Sequence, residues 1–148
     1  MRLVVDSSVI AKFFLAESDR DQASRLMERA TKGAVELSAP TLLLYEVNNA
    51  LISKGMRGHD YDEAITLIVD WMREGYINIV EATEELLRRA EAIASIDTQG
   101  QGHISSFDAT FHALALMNAA TFVTSDQSYV RKTKALLGSV ELLQDLSH

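Results

Sequence analysis

Apolar residues along this chain follow two patterns: short continuous runs, and longer stretches in which they recur every three or four positions. A short run rich in branched residues is typical of a buried strand, whereas the second spacing places apolar side chains on one face of a helix. The strand candidates are residues 3–6, 35–38, 76–80, 121–124 and 140–143. The helical stretches cover about residues 7–14, 20–31, 40–55, 61–73, 84–95 and 105–117. Their alternation predicts an α/β fold with a mostly parallel central sheet of about four to five strands.

Turn-forming residues set the expected boundaries of these elements. Gly33 is expected to end the helix over residues 20–31. Pro40, the only proline, suits the first turn of the next helix, which would stop near Gly55. Residues 56–60 and 97–102 are expected to be loops. The second loop contains two glycines but lacks the fingerprint of a phosphate-binding loop, so a plain connection is the simpler interpretation.

The composition favours one compact domain. With 148 residues, 47% of them apolar, the chain can bury one substantial core, so we expect a single domain over residues 1–148. A run of about 20 apolar residues and a signal-peptide layout are both absent, which favours a cytoplasmic protein without a membrane span. Because the chain has no cysteine, thiolate catalysis is excluded and any metal ligands must be oxygen or imidazole.

Four acidic residues stand at positions where the surrounding sequence is apolar. Asp6 and Asp126 each follow a strand candidate, and the carboxyl ends of parallel strands meet at the edge of a sheet where ligands bind. Glu46 lies within a mostly apolar helix, and Asp108 lies in the first turn of another. Burial of a carboxylate is costly unless the group is paired or binds a metal. The set therefore predicts a site for Mg²⁺ or Mn²⁺, which can activate water to hydrolyse a phosphodiester.

Each acid also has a purely structural explanation. Asp6 could cap the helix that follows it. Glu46 could lie at the rim of the apolar stripe of its helix, where it would reach solvent or pair with a lysine. Asp108 lies three residues after Ser105, which is close to a capping-box arrangement. Asp126 could be a turn residue or the N-cap of a short helix. The combination of all four acids, rather than any single one, favours a shared site.

Four motifs surround these acids. They are LVVDSS at residues 3–8, LYEVNNAL at 44–51, SFDATFHALA at 106–115 and FVTSD at 122–126. Each motif is weak by itself, but the ordered set is specific and spans nearly the whole chain. In this order and spacing the sequence resembles the PIN domain, in particular the VapC-type toxins.

The resemblance implies a Rossmann-like α/β/α sandwich and endonucleolytic cleavage of RNA that depends on Mg²⁺ or Mn²⁺. It also implies a homodimer and inhibition by a VapB-type antitoxin. Carried over by position, Asp6 and Asp108 would be the main metal ligands. Glu46 and Asp126 would complete the acidic pocket directly or through water, and a carboxylate would accept the proton of the attacking water.

Other polar and aromatic residues lie near these acids in the sequence. Ser8 and Thr124 match the small hydroxyl residues that the family keeps beside its first and last acids, and would orient carboxylates by hydrogen bonds. His112 follows Asp108 by one helical turn and could approach a metal, although a surface or partner-helix position is favoured. Trp71 is interpreted as a core or subunit-interface residue.

The charge balance argues against strong, non-specific binding of nucleic acid. The chain has 14 Lys and Arg against 21 Asp and Glu, for a formal net charge of −7. A bound divalent cation would neutralise part of the clustered acid. Arg131, Lys132 and Lys134 could form a local strip that contacts phosphate, although an ordinary solvated helix face is the simpler interpretation.

Two further function classes stay open at this point. Asp6 could be the nucleophile of an aspartyl phosphotransferase, but Ser8 occupies the position where such enzymes usually carry a second acid. The chain could also be a non-catalytic PIN-like binding or assembly module whose acids serve only the structure.

Overall fold

The computed structural model describes residues 1–146, and its centre is a five-stranded parallel sheet with the order β3-β2-β1-β4-β5. Every neighbouring pair of strands is parallel. The strands are β1 (Arg2–Val5), β2 (Glu36–Pro40), β3 (Ile77–Val80), β4 (Thr121–Thr124) and β5 (Val140–Leu142). The predicted α/β class, the parallel sheet and the position of the last strand at an edge are confirmed.

Helices connect the strands, as parallel pairing requires. Within residues 1–146 they are α1 (Ser7–Phe14), α2 (Arg20–Thr31), α3 (Leu42–Ser53), α4 (Gly58–Arg73), α5 (Glu84–Ala94), α6 (Ser106–Met117) and α7 (Gln127–Leu137). A single 3-10 turn (Leu143–Asp145) follows β5. In this part of the chain, no helix combines the length and apolar character needed to cross a lipid bilayer.

Both faces of the central strands are covered. Val4 and Val5 are consecutive residues of β1, and Phe122 and Val123 are consecutive residues of β4, yet all four side chains are at most 1% exposed. Successive side chains of a strand point to opposite faces of the sheet. Helices therefore cover both faces, which gives the three-layer α/β/α arrangement expected of a Rossmann-like fold.

The strand order changes direction between β1 and β4. The chain runs outward from β1 through β2 to β3, and then returns through α5 and α6 to β4 on the other side of β1. Ligands in such sheets bind beyond the carboxyl ends of the strands at this switch point. Asp6 directly follows β1, and Asp126 follows the last residue of β4 by two positions, so both acids stand at this edge.

Pro40 ends β2, and the prediction that it opens a helix is wrong. It is paired with Val80 of β3, while Thr41 is the N-cap of a helix that begins at Leu42. The Thr41 amide donates to the Val80 carbonyl oxygen, and successive amides of a strand point to opposite neighbours. The Pro40 nitrogen therefore points toward β1. Because the pairing of β1 with β2 ends at Ser38, no hydrogen bond is lost when residue 40 is a proline, which has no N–H group.

Residues 56–60 are partly helical, which corrects their prediction as a loop. Helix α4 begins at Gly58, and Asp60 lies in its first turn, where a negative charge interacts favourably with the helix dipole. Trp71 near the other end of α4 is 5% exposed. Its ring meets that of Phe13 edge-on, with the centroids 4.9 Å apart. The expected core position of Trp71 is confirmed.

Candidate active site

Asp6 is a buried carboxylate at the centre of the candidate site, 7% exposed and acting as the N-cap of α1. Its Oδ1 accepts a hydrogen bond from the Ser7 amide at 2.8 Å. Its Oδ2 accepts hydrogen bonds from the hydroxyl groups of Ser8 at 2.9 Å and Thr124 at 2.7 Å. Burial raises the pKa of Asp6, and the hydrogen bonds from Thr124, Ser8 and Ser7 partly offset that effect. Both hydroxyl residues singled out in the sequence therefore contact this carboxylate.

The same two hydroxyl groups connect the ends of β1 and β4. Ser8 Oγ accepts a hydrogen bond from the Ser125 amide at 3.1 Å, and Thr124 Oγ1 accepts one from the Asp126 amide at 3.1 Å. Each hydroxyl thus donates to Asp6 and accepts from the loop that carries Asp126. These bonds fix the relative position of the two acid-bearing segments.

Glu46 lies on α3 and is partly buried. Its Oε1 is enclosed and has no hydrogen-bond partner among residues 1–146; the other buried side-chain oxygen in this state is Ser125 Oγ, in the loop after β4. Burial, followed by repulsion from Asp6 and Asp108, raises the pKa of Glu46 to about 7, against a smaller opposing effect of a hydrogen bond with Ser7. Glu46 is therefore an acid with an unused oxygen close to other acids.

Asp108 lies in the first turn of α6, where the Asp108 amide donates to Ser105 Oγ at 3.1 Å. The predicted capping by Ser105 is thus observed. Burial raises the pKa of Asp108 and repulsion from Asp6 adds to that effect, followed by repulsion from Asp126. The contact with Ser105 and the positive charge of Lys132 act in the opposite direction.

Asp126 is the exposed member of the group and caps α7. Its Oδ1 accepts a hydrogen bond from the Tyr129 amide at 3.0 Å, which bears out its structural interpretation as an N-cap. Its charge also raises the pKa of Asp108. Through these repulsions, the four acids named from the sequence form one electrostatically connected group at the carboxyl edge of the sheet.

The acidic group suits a divalent cation but does not form a closed cage. Within residues 1–146, no three acidic or histidine side chains converge closely enough to hold an ion by themselves. Mg²⁺ commonly keeps several waters and binds through one or two carboxylates, so a closed set is not required. Burial and then mutual repulsion raise the pKa values of Glu46 and Asp108, and a cation bound among these acids would relieve the repulsion. Glu46 Oε1 has no hydrogen-bond partner among residues 1–146 that such a cation would have to displace.

His112 is completely buried, and its expected position on the surface or against a partner helix is wrong. Its Nε2 lies 2.8 Å from the carbonyl oxygen of Gly138 and its Nδ1 lies 2.8 Å from the hydroxyl of Tyr129. A carbonyl oxygen can only accept, so Nε2 carries the proton, Nδ1 accepts, and Tyr129 donates. Burial lowers the pKa of His112, which agrees with a neutral ring. Neither nitrogen is available to a metal.

Some contributors to the site were missed in the sequence analysis. Ser7 contacts Asp6 and Glu46, and Tyr129 links α7 to α6 through His112. The available signal for Tyr129 was its position three residues after a helix-capping acid. Its role was hidden because the partner ring lies 17 residues earlier in the chain.

An open cleft of about 430 Å³ gives access to Glu46. Ser7 and Asn49 contribute to its polar side, while the exposed rings of Tyr45 and Phe107 contribute to its apolar side. Each ring immediately precedes an acid of the site in the sequence. The cleft therefore combines a carboxylate with two exposed aromatic rings.

Comparison with known proteins agrees with this architecture. A family model for the PIN domain matches residues 3–135. The chain is 30% identical over 138 residues to "Ribonuclease VapC3" of Pyrobaculum aerophilum, and the match covers 93% of this chain and 98% of that protein.

Two solved structures illustrate the likeness in fold. One is titled VapBC2 from Rickettsia felis bound to a DNA fragment from their promoter: the TM-score is 0.68 at 13% identity, covering 96% of this chain and 98% of the other. The second is VapC20 of Mycobacterium tuberculosis, titled a toxin that cleaves the sarcin-ricin loop: the TM-score is 0.60 at 20% identity, covering 79% of this chain and 83% of the other. Taken with the family match over most of the chain, the resemblance noted in the sequence is confirmed: this chain belongs to the PIN-domain family.

Proposed function

We propose that this chain is a metal-dependent endoribonuclease whose catalytic group is Asp6, Glu46, Asp108 and Asp126. The observation that carries the proposal is the burial of acids beside one another: Asp6 is buried, Glu46 and Asp108 are partly buried, and Glu46 Oε1 has no hydrogen-bond partner among residues 1–146. The raised pKa values of these three acids agree with that crowding. Carboxylates that repel one another in a partly buried site are destabilising unless a cation or protons join them. Perturbed acids of this kind in a cleft are typical of catalytic sites.

Asp6 and Asp108 are the proposed main ligands of Mg²⁺ or Mn²⁺, with Glu46 and Asp126 binding directly or through water. When bound, such an ion lowers the pKa of an attacking water and stabilises negative charge on the phosphodiester. Ser8 and Thr124 hold Asp6 Oδ2 in one orientation, which is a supporting role. Glu46, the acid of the group with an oxygen that has no hydrogen-bond partner among residues 1–146, is the proposed acceptor of the water proton.

The substrate and partner proposals draw on the relatives. The relative from Pyrobaculum aerophilum is named a ribonuclease, and one structural neighbour is described as a toxin that cleaves the sarcin-ricin loop. Other neighbours are titled VapBC complexes. These names support RNA as the substrate and a VapB-type antitoxin as the partner. A homodimer and action in the cytoplasm, where RNA substrates occur, stay predictions.

The structure adds no support to the phosphotransferase hypothesis. Ser8 stands where such enzymes usually carry a second acid, and its hydroxyl donates to Asp6 Oδ2 at 2.9 Å. Thr124 donates to the same oxygen at 2.7 Å. Both hydroxyl groups orient Asp6, which is the role proposed for them beside a metal ligand.

The testing experiment is cleavage of end-labelled RNA by the purified protein with Mg²⁺, Mn²⁺ or EDTA. We expect cutting with metal only, and a loss of about 100-fold or more in Asp108→Asn, because one electrostatic contact in a preorganised site contributes at this level. Asp70→Asn, which changes an exposed acid on α4, should cut like the parent protein. Cutting in EDTA, or full cutting by Asp108→Asn, would overturn the proposed site. Absence of cutting by every protein would favour a binding module.

A further inference from the structure

Substrate binding is the part of the proposed function that the acidic group leaves unexplained. The chain has a formal net charge of −7, and the site itself is built from carboxylates. An RNA strand is polyanionic, so its approach to this edge requires positive charge close to the reacting phosphate. We therefore considered which cations lie near the acids and are free to bind a phosphate.

The lysines differ in whether an acidic side chain already pairs with them. All five lie within residues 1–146, and four of them have a carboxylate oxygen within 4.0 Å. These pairs are Lys12 with Glu17, Lys32 with Glu28, Lys54 with Glu17 and Lys134 with Glu141. Lys132 forms no such ion pair with any residue that the structure describes.

Lys132 is also the lysine that lies beside the acids. It is partly buried on α7, one helical turn after Tyr129, whose amide binds Asp126. Burial raises the pKa of Asp108, and the positive charge of Lys132 partly opposes that rise. The ammonium group is thus close enough to act electrostatically on Asp108. It forms no ion pair among residues 1–146 that would prevent it from binding a phosphate.

The loop before α6 holds this ammonium group in place. Lys132 Nζ donates to the His103 carbonyl oxygen at 3.1 Å. The side chain passes close to Gly102, where a Cβ would lie 3.5 Å from both Cε and Nζ. The loop is itself tied by the hydroxyl of Thr98, which donates to the Gly102 carbonyl oxygen. A lysine held in this way loses less conformational freedom when it binds a ligand than a freely moving one.

Lys132 retains unused hydrogen-bonding capacity. An ammonium group has three donors, and the contact with His103 occupies one of them. No further partner of Lys132 is found among residues 1–146, so two donors remain for an incoming anion. By contrast, the charge of Lys134, two residues further along α7, is already engaged by Glu141.

We propose that Lys132 binds the RNA backbone at the phosphate next to the acidic group, and so supplies positive charge beside the acids. The proposal rests on the proposed function in taking RNA as the ligand. It distinguishes Lys132 from Lys134, whose charge is paired with Glu141. The role is that of a substrate-binding residue, because the ammonium touches the phosphate and takes no part in proton transfer.

The test measures RNA binding separately from cleavage. A fluorescently labelled single-stranded RNA is titrated with the protein, with Ca²⁺ in place of Mg²⁺, at several NaCl concentrations, and its integrity is checked on a gel. Lys132→Gln should weaken binding by about tenfold at low salt and reduce the slope of log affinity against log salt by about 0.7, the value for one phosphate contact on a single strand. Lys132→Arg, which keeps the charge, should restore most of the binding.

Lys32→Gln is the matched control, because it removes one lysine charge that is already paired, with Glu28 at the end of α2. It should leave both affinity and slope unchanged. An equal effect of Lys32→Gln and Lys132→Gln, or no effect of Lys132→Gln in a protein with an unchanged unfolding temperature, would overturn the proposal. Failure of the parent protein to bind RNA at low salt would also overturn it. Lys132-dependent binding without any Mg²⁺-dependent cleavage would support the Lys132 proposal and reject the nuclease function.

Discussion

Two groups of buried or partly buried polar side chains lie one helical turn apart on α6 and α7, and their hydrogen-bonding needs are met to very different degrees. In the deeper group, His112 uses both ring nitrogens and Tyr129 donates its hydroxyl proton. In the outer group, burial and acidic neighbours raise the pKa of Asp108, and Glu46 on α3 has an oxygen without a hydrogen-bond partner among residues 1–146. Buried polar groups in native proteins are nearly always satisfied. The unpartnered oxygen of Glu46 is therefore an exception that the proposed ligand site would explain.

The difference also explains how an unfavourable site can persist. A fully satisfied polar network makes a core rigid and specific, whereas a partly satisfied one reduces stability. His112 joins the helix of Asp108 to the helix of Asp126 through Tyr129, and to the end of α7 through Gly138. The satisfied network thus holds in place the helices that carry two of the mutually repelling acids.

The largest effect on stability is expected from the satisfied group. His112→Ala removes the partners of the Tyr129 hydroxyl and the Gly138 carbonyl oxygen and leaves a cavity, so the free energy of unfolding should fall by about 3 kcal/mol. Urea unfolding followed by circular dichroism in EDTA measures this change. His59→Ala, at an exposed histidine paired only with Glu63, should change it by less than about 0.5 kcal/mol. A His112→Ala protein as stable as its parent would contradict the claim that the hydrogen bonds of His112 stabilise the fold.

A smaller effect, on activity, is expected at the hydroxyl that connects Asp6 to the Asp126 loop. Thr124→Val keeps the shape of a buried side chain but removes the donor to Asp6 Oδ2 and the acceptor of the Asp126 amide. The kcat/KM for RNA cleavage should fall by about 10- to 100-fold, as is common when a residue that orients a metal ligand is lost. Thr133→Val, whose equally buried hydroxyl bonds only to the Tyr129 carbonyl oxygen, should cleave normally. Equal activities of the two variants would show that Asp6 does not depend on Thr124.

The smallest expected effect is on how the stability of the metal-free protein depends on pH. The pKa of Glu46 is about 7 in the fold against 4.5 for the ordinary group. Below about pH 4.5 the group is protonated in both states, so it costs nothing. As the pH rises, the unfolded chain loses this proton first, and stability falls until the pH passes the folded pKa. With allowance for solvent screening, the loss attributable to Glu46 is about 1–2 kcal/mol. The raised pKa values of Asp6 and Asp108 act in the same direction.

Unfolding by urea in EDTA at pH 5 and pH 8 tests this sign. Glu46→Gln should be more stable than the parent at pH 8 and should show a weaker dependence on pH, while Glu81→Gln, at an exposed acid after β3, should behave like the parent. Addition of Mg²⁺ at pH 8 should stabilise the parent more than Glu46→Gln. His112, whose pKa is lowered by burial, stabilises the fold as the pH rises and so acts in the opposite direction, but it is common to both proteins. A Glu46→Gln protein whose stability changes between pH 5 and pH 8 by the same amount as that of the parent would therefore contradict the raised pKa of Glu46.

The fold could be predicted wherever local signals agreed with one another. Alternating strand and helix patterns indicated the parallel sheet, and Ser105 three residues before Asp108 indicated a helix start that the structure contains. The predictions for Pro40 and His112 were wrong because residues distant in the sequence determine the structure at these two positions. Pro40 ends a strand because β3 pairs with it, although proline is also common at the start of a helix. His112 seemed suited to a surface because nothing nearby in the sequence provides its two partners, Tyr129 and Gly138.

For this protein, the sequence by itself determined the α/β class, the family and which acids form the candidate site, because periodicity, caps and motif order are properties of residues close together in the chain. The tertiary structure decided which polar groups are satisfied. Lys132 and Lys134 are nearly equivalent in the sequence, yet one contacts the His103 carbonyl oxygen and the other pairs with Glu141. Burial and charge pairing depend on elements brought together from distant parts of the chain, so only the folded structure shows which charge remains available to a ligand.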